Sequence, residues 1–153
     1  MRKAMIGISL VFAVMQARAS TFVINWDLNG NSAGATDLAM QIYFAEAGGS
    51  AGVKRASVEC YSSVDGYEFS PGSSFCMAFD EAVYLLESRD GAVVIPDKDY
   101  FSEASIEARR SLFMREWTAN GQTQMRSQIQ TAVKIRFDTI IRQAVEANQN
   151  GAS

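Results

Sequence analysis

The chain has 153 residues, 14 Lys and Arg against 17 Asp and Glu, a formal charge of −3, and not one histidine. The missing imidazole excludes Ser-His-Asp and Cys-His hydrolysis and any zinc site built on histidine, so catalysis would fall to carboxylates, Lys, Tyr or Ser. The balance is mildly acidic and basic clusters are lacking, so no nucleic-acid partner is expected.

The first nineteen residues carry the clearest signal. Arg2 and Lys3 precede an uncharged, mostly apolar run from Ala4 to Met15, and Ala17-Arg18-Ala19 follows with small residues at the two positions a signal peptidase reads. This is the layout of a secretory signal peptide, residues 1–19, with cleavage expected between Ala19 and Ser20. The apolar run is shorter than the ~20 residues a transmembrane helix needs. The remainder, 20–153, suits a single mainly helical domain with no membrane span. Ser20 stands where a bacterial lipoprotein would have its lipid-bearing cysteine, and no Asn-x-Ser/Thr site occurs anywhere. The expected location is therefore the bacterial periplasm or beyond. Losing Arg2, Lys3 and Arg18 lowers the basic count from 14 to 11 against 17 acids, leaving −6. The acids crowd residues 20–102, whereas 103–146 is net basic. Packing of the two regions, solvation, or a basic helical face for an anionic partner would each account for this.

Phe22 to Leu28 alternates apolar and polar residues, which predicts a half-buried strand. Asn29 to Gly34 reads as a turn, and Thr36 as the cap of a helix from Asp37 to about Ala47, ended by Gly48-Gly-Ser-Ala-Gly52. Asp27, Asn29, Asn31 and Asp37 place oxygen ligands around that turn, and the string resembles the start of an EF-hand or dockerin calcium loop. The resemblance implies calcium held by those four residues. It departs from the pattern at Ser32 and Gly34, and Asp37 falls one position before the expected acid. An Asn/Gly-rich turn between strand and helix accounts for the same residues without an ion. No other cofactor is implied.

Val53 to Ser63 reads as either a strand or a short helix carrying Cys60. Cys60 and Cys76 are the only cysteines. In an oxidising compartment they predict a disulfide, with two buried thiols as the alternative. After a loop over Val64 to Pro71, with Tyr67 and Phe69 expected against the core, Ser73 or Ser74 is expected to cap a helix from Phe75 to Ser88, with Cys76, Phe79, Val83 and Leu86 at helical spacing. Ala92 to Ile95 is an apolar run before Pro96. Ser102 is the expected N-cap of the next helix, whose stripe is Ile106, Arg110, Phe113 and Trp117. Asn120-Gly121 reads as its stop. Thr123 is then the expected cap of a last, long helix to about Asn148, with Met125, Ile129, Val133, Phe137 and Ile140 on its apolar face.

The fold class expected is a small bundle of about four helices with a minor N-terminal β element and one disulfide. The functional expectation is an exported, non-catalytic binding protein of the bacterial envelope, acting on another envelope or secreted protein. An accessory subunit of a secretion or conjugation apparatus fits, as does an inhibitor or immunity protein. One alternative is a carboxylate-dependent cell-wall glycan hydrolase drawing on Asp80, Glu81, Glu59, Glu68 or Glu87. Glu87-Ser88 is similar to the Glu-Ser of lytic transglycosylases, but the Gly-Leu-Met-Gln expected downstream is missing. A calcium-binding exported module is the other alternative. Trp26, Phe113 and Trp117 read first as core and second as a stacking surface.

Overall fold

The structure is a computed structural model that describes residues 28–45, 48–89 and 100–151. These form five helices: α1 (Leu28–Tyr43), α2 (Gly49–Ser62), α3 (Pro71–Arg89), α4 (Glu103–Phe113) and α5 (Ala119–Gly151). The described residues are 83% helical with no strand, so the mainly helical class holds, with five helices where about four were expected. The strand expected from Phe22 lies outside the described residues as far as Asp27, and Leu28 opens α1. The run Ala92–Ile95 and the expected leader also lie outside them.

The central element is α3. Every residue from Cys76 to Val83 is buried, and α3 packs against each of the other four helices. A helix enclosed on all sides must be apolar or internally paired around its circumference. Here Met77, Ala78, Phe79, Ala82 and Val83 supply the apolar part, and Asp80 and Glu81 must find partners. Its start is fixed by reciprocal bonds. The Ser70 amide donates to Ser73 Oγ (2.8 Å), and the Ser73 amide donates to Ser70 Oγ (3.1 Å). Ser70 therefore caps the helix, with Pro71 in the first-turn position that tolerates a missing amide proton. The expected cap at Ser73 or Ser74 lies three or four residues too late.

The closest partner of α3 is α1. Ser32, Ala35, Thr36 and Ala39 are all fully buried at i, i+3, i+4, i+7 spacing, and small side chains let the two backbones approach. The expected turn over 29–34 is thus part of a helix. Thr36 sits inside it, its hydroxyl donating to the Ser32 carbonyl (2.7 Å) rather than capping a terminus. The glycines after α1 end it and also begin α2. Gly49 takes a φ of +59°, and a Cβ on Gly48 would lie 1.7 Å from the Ile42 carbonyl oxygen. Only glycine fits that close approach.

The segment left open between strand and helix is α2, with Val53, Ala56, Ser57 and Cys60 on its buried side. Cys60 in its last turn is bonded to Cys76 in α3, with Cα atoms 5.7 Å apart, and no free cysteine remains. Ser102 does cap α4, accepting from the Ser105 amide (3.3 Å). Asn120-Gly121, however, is not a stop. α4 ends at Phe113, and Thr118 Oγ1 accepts from the Gly121 amide (3.1 Å) as the cap of α5. Gln122 of α5 reaches back to the Met114 (2.9 Å) and Trp117 (3.3 Å) carbonyls, so a side chain rather than a left-handed glycine satisfies the end of α4.

α5 spans 33 residues, about 50 Å at 1.5 Å per residue. Ile129, Val133 and Phe137 are buried, and Met125, Ile140 and Ile141 pack at the edge of the core. Three buried side chains of that size contribute about 5–9 kcal/mol. The Asp37–Arg136 pair that also ties α1 to α5 is one-third exposed and adds about 1 kcal/mol at most. Packing therefore holds this helix. From Arg142 to Asn150 every residue is exposed.

Candidate functional site

Two adjacent carboxylates on α3 meet two adjacent arginines on α4. Asp80 has no exposed surface and Glu81 is 5% exposed. Consecutive helical positions point about 100° apart, so Asp80 and Glu81 look into different clefts.

Asp80 looks toward α2. Its Oδ1 accepts from the Ser57 hydroxyl (2.6 Å), and its Oδ2 accepts from the Tyr61 hydroxyl (3.1 Å) and from Arg109 Nε (2.9 Å). Ser57 has one proton and gives it to Asp80, so the Tyr100 hydroxyl 2.9 Å away donates to Ser57 Oγ. The Arg109 guanidinium lies 3.8 Å from the centroid of the Tyr100 ring and 6.0 Å from that of Tyr61. Burial pushes the Asp80 carboxyl above the ordinary carboxylate range, against the pull of Arg109 and the donors from Ser57 and Tyr61. Burial, then the neighbouring Asp80 charge, raises the Tyr61 phenol well above its usual value. It stays a donor.

Glu81 looks toward α4 and α5. Its Oε1 accepts from Arg110 Nη1 (3.3 Å) and Gln130 Nε2 (3.3 Å). Arg110 also pairs with Glu107, which Arg126 of α5 joins at 3.0 Å. Burial raises the Glu81 carboxyl, opposed chiefly by Arg110. Burial likewise lowers Arg110. The helix α4 buries only two apolar side chains, Ile106 and Phe113, so these pairs fix its position against α3.

A serine hydroxyl 2.6 Å from a carboxylate has the shape of a nucleophile and base. Both groups are fully buried, however, and the carboxylate already accepts three donors. The arrangement locks three helices together rather than facing a substrate.

The other expected residues are dispersed. Glu59 and Glu68 are exposed, and Glu87 is half-buried near the end of α3. Asp27 lies outside the described residues, and Asn29, Asn31 and Asp37 lie on α1. Asp37 lies six positions after Asn31, a rise of about 9 Å in a helix. Asn31 Nδ2 donates to the Pro71 carbonyl (3.3 Å), and Asp37 accepts two bonds from Arg136 (2.7 and 3.0 Å). Among the described residues, no three Cys, Asp or Glu side chains cluster to hold a metal ion.

A second feature opens to the surface. Residues 63–70, which run from the disulfide-bonded end of α2 to the start of α3, present Tyr67 and Phe69 to the end of α4. The Tyr67 and Phe113 rings are 5.6 Å apart, Phe113 and Tyr61 5.4 Å, and Phe69 and Trp117 4.7 Å. The Arg115 guanidinium sits 5.6 Å from the Tyr67 centroid. Tyr67 is 54% exposed and Leu112 49%, while Phe69 and Trp117 are half-buried. Phe113 is core, as expected; Trp117 is shared between core and surface, and Trp26 lies outside the described residues.

No known protein family matches this chain, nor does any characterised protein or solved structure.

Phe69 packs against the core as expected, whereas Tyr67 is more than half exposed. Tyr67 and Phe69 alternate with Gly66 and Glu68 in a stretch with turn chemistry, and large aromatics in such a stretch are a recognisable signal. Their pairing with Phe113 and Trp117, nearly fifty residues away, left no periodic trace.

Proposed function

We propose that this chain is an exported, non-catalytic binding protein of the bacterial envelope, whose partner is another envelope or secreted protein. The observation that carries this reading is the aromatic surface of Tyr67, Phe69 and Trp117, set on Phe113. Tyr, Trp and Arg dominate the energetic centres of protein interfaces because they bury much area at little entropic cost. A rigid base improves such a surface by lowering the ordering cost of binding. Here the base is supplied at both ends of the loop, by the Cys60–Cys76 bond and by the Ser70–Ser73 cap. The loop sequence Ser62-Ser-Val-Asp-Gly-Tyr-Glu-Phe-Ser70 also has the Tyr, Ser and Gly enrichment of adaptable recognition loops.

Export rests on the leader-like first nineteen residues. A disulfide and the absence, among the described residues, of any helix long and apolar enough to cross a membrane agree with it. The non-catalytic part is supported by the engagement of Asp80 and Glu81, the best-placed acids, in internal ion pairs.

Affinity capture from the cells that make the protein tests this reading. The chain is expected to retain one stoichiometric partner, and the Tyr67→Ala variant, with an unchanged circular-dichroism melt, to lose it. Equal retention by that variant would overturn the reading, as would muropeptide release by the purified protein.

A further inference from the structure

We infer that the aromatic surface takes a basic segment of its partner protein, one presenting Lys or Arg around apolar anchors. This rests on the binding reading above and goes on to name what is bound. The charges lie beside the rings in the chain itself. Asp65 and Glu68 flank Tyr67 within two residues, Glu116 precedes Trp117, and all three carboxylates belong to exposed residues. Among the described residues, Arg115 is drawn over the Tyr67 ring, and Arg109, over Tyr61, is already paired with Asp80. Three acids against Arg115 give the rim a negative potential. Attraction of that kind steers association and selects register more than it adds affinity. The half-exposed Tyr67, set on Phe113, supplies the apolar centre that such a rim needs.

A glycan fits less well. Sugar stacking needs open, level ring faces, whereas Phe69 and Trp117 tilt against each other at 53° and Tyr67 and Phe113 at 52°. A second copy of the chain would bring Arg55 of α2, or Lys134 or Arg142 of α5, to this surface, and self-association is one outcome of the test below. The exposed apolar side chains on that stretch of α5, Ile135 and Val145, stand ten residues apart rather than in a stripe.

The test uses the chain from Ser20 onward, carrying Trp26→Phe so that Trp117 is the sole tryptophan reporter. The probe is an 18-residue peptide with a leucine stripe and lysine elsewhere; its control replaces every lysine with glutamate. Fluorescence titration is expected to show binding of the lysine peptide only. That binding should weaken at least tenfold in Asp65→Lys/Glu68→Lys and in Tyr67→Ala, and less than twofold in Glu146→Lys on the distal end of α5. Raising salt from 50 to 300 mM should weaken it several-fold, since the charges are exposed.

Equal weakening by Glu146→Lys would reduce the effect to diffuse attraction and overturn the inference. Binding of both peptides alike, or of neither, would also overturn it, as would co-sedimentation with cell-wall sacculi or concentration-dependent self-association lost in Asp65→Lys/Glu68→Lys. Failure here together with successful capture of a Tyr67-dependent partner leaves the binding reading standing and removes only the basic segment. Failure of both removes both.

Discussion

Replacing Asp80 by alanine should unlock the centre of the bundle. The carboxylate accepts from Ser57, Tyr61 and Arg109, and it has no exposed surface. Its removal leaves two hydroxyls and a guanidinium without their acceptor. The Arg109 side chain is 18% exposed although its Nη2 is buried, so water recovers only part of its loss. Breaking a buried pair from one side costs about 3–5 kcal/mol, and the partial exposure of Arg109 puts the expected loss near 3 kcal/mol. Against a total stability of about 5–15 kcal/mol that is a large fraction. Asp80→Asn should cost less, about 1–2 kcal/mol, because it keeps an acceptor for Ser57 and burial already favours the neutral carboxyl. Removing the arginine as well should recover much of the loss, so Asp80→Ala/Arg109→Met should be less destabilised than the two single changes added together. Urea unfolding followed by circular dichroism measures all four proteins. A loss below about 1 kcal/mol in Asp80→Ala, or strict additivity in the pair, would refute the lock.

Three further outcomes are expected. Burial raises both Asp80 and Glu81, so the folded chain holds their protons more tightly than the unfolded chain does. Their contribution is therefore fully present below the ordinary carboxylate range, near pH 4, and is lost as pH rises through the raised values. Urea midpoints at intervals between pH 4 and 7 should show this falling component, and Asp80→Asn/Glu81→Gln should flatten it; an unchanged slope would count against it. Cys60→Ser/Cys76→Ser should lose about 3 kcal/mol, the entropy of a sixteen-residue loop, and the thermal midpoint should drop accordingly. Ser32→Ala should gain about 1 kcal/mol, because the fully buried Ser32 hydroxyl has no hydrogen-bond partner among the described residues. A destabilised Ser32→Ala would show that the hydroxyl is satisfied.

Periodicity revealed what is periodic. The apolar face of α5, the Ser102 cap of α4 and the spacing of Phe79, Val83 and Leu86 on α3 all stand where the sequence places them. Errors came where one residue type serves two purposes. Asn29 to Gly34 carries turn residues, yet their small size suits a helix packed tightly on α3. Gly121 lies where a stop would be, but Thr118 turns it into the first turn of a helix. Ser73 has the side chain of a cap, but Pro71 two residues earlier marks the true start. Arg110 falls on the buried stripe by its spacing, and it is buried there through its pair with Glu81. The reciprocal match of Asp80-Glu81 with Arg109-Arg110 has no local signature. Charges become partners only once α3 and α4 are packed, twenty-nine residues apart in sequence. The aromatic surface was hidden for the same reason.

On the proposed reading, the chain works by holding a partner on the Tyr67 surface. Photo-crosslinking in living cells tests it most directly, with a benzophenone side chain in place of Tyr67 and, in a second protein, in place of the exposed Thr131 on α5. Position 67 is expected to give one discrete protein adduct that position 131 does not. No adduct at either position, or the same adducts at both, would contradict the account.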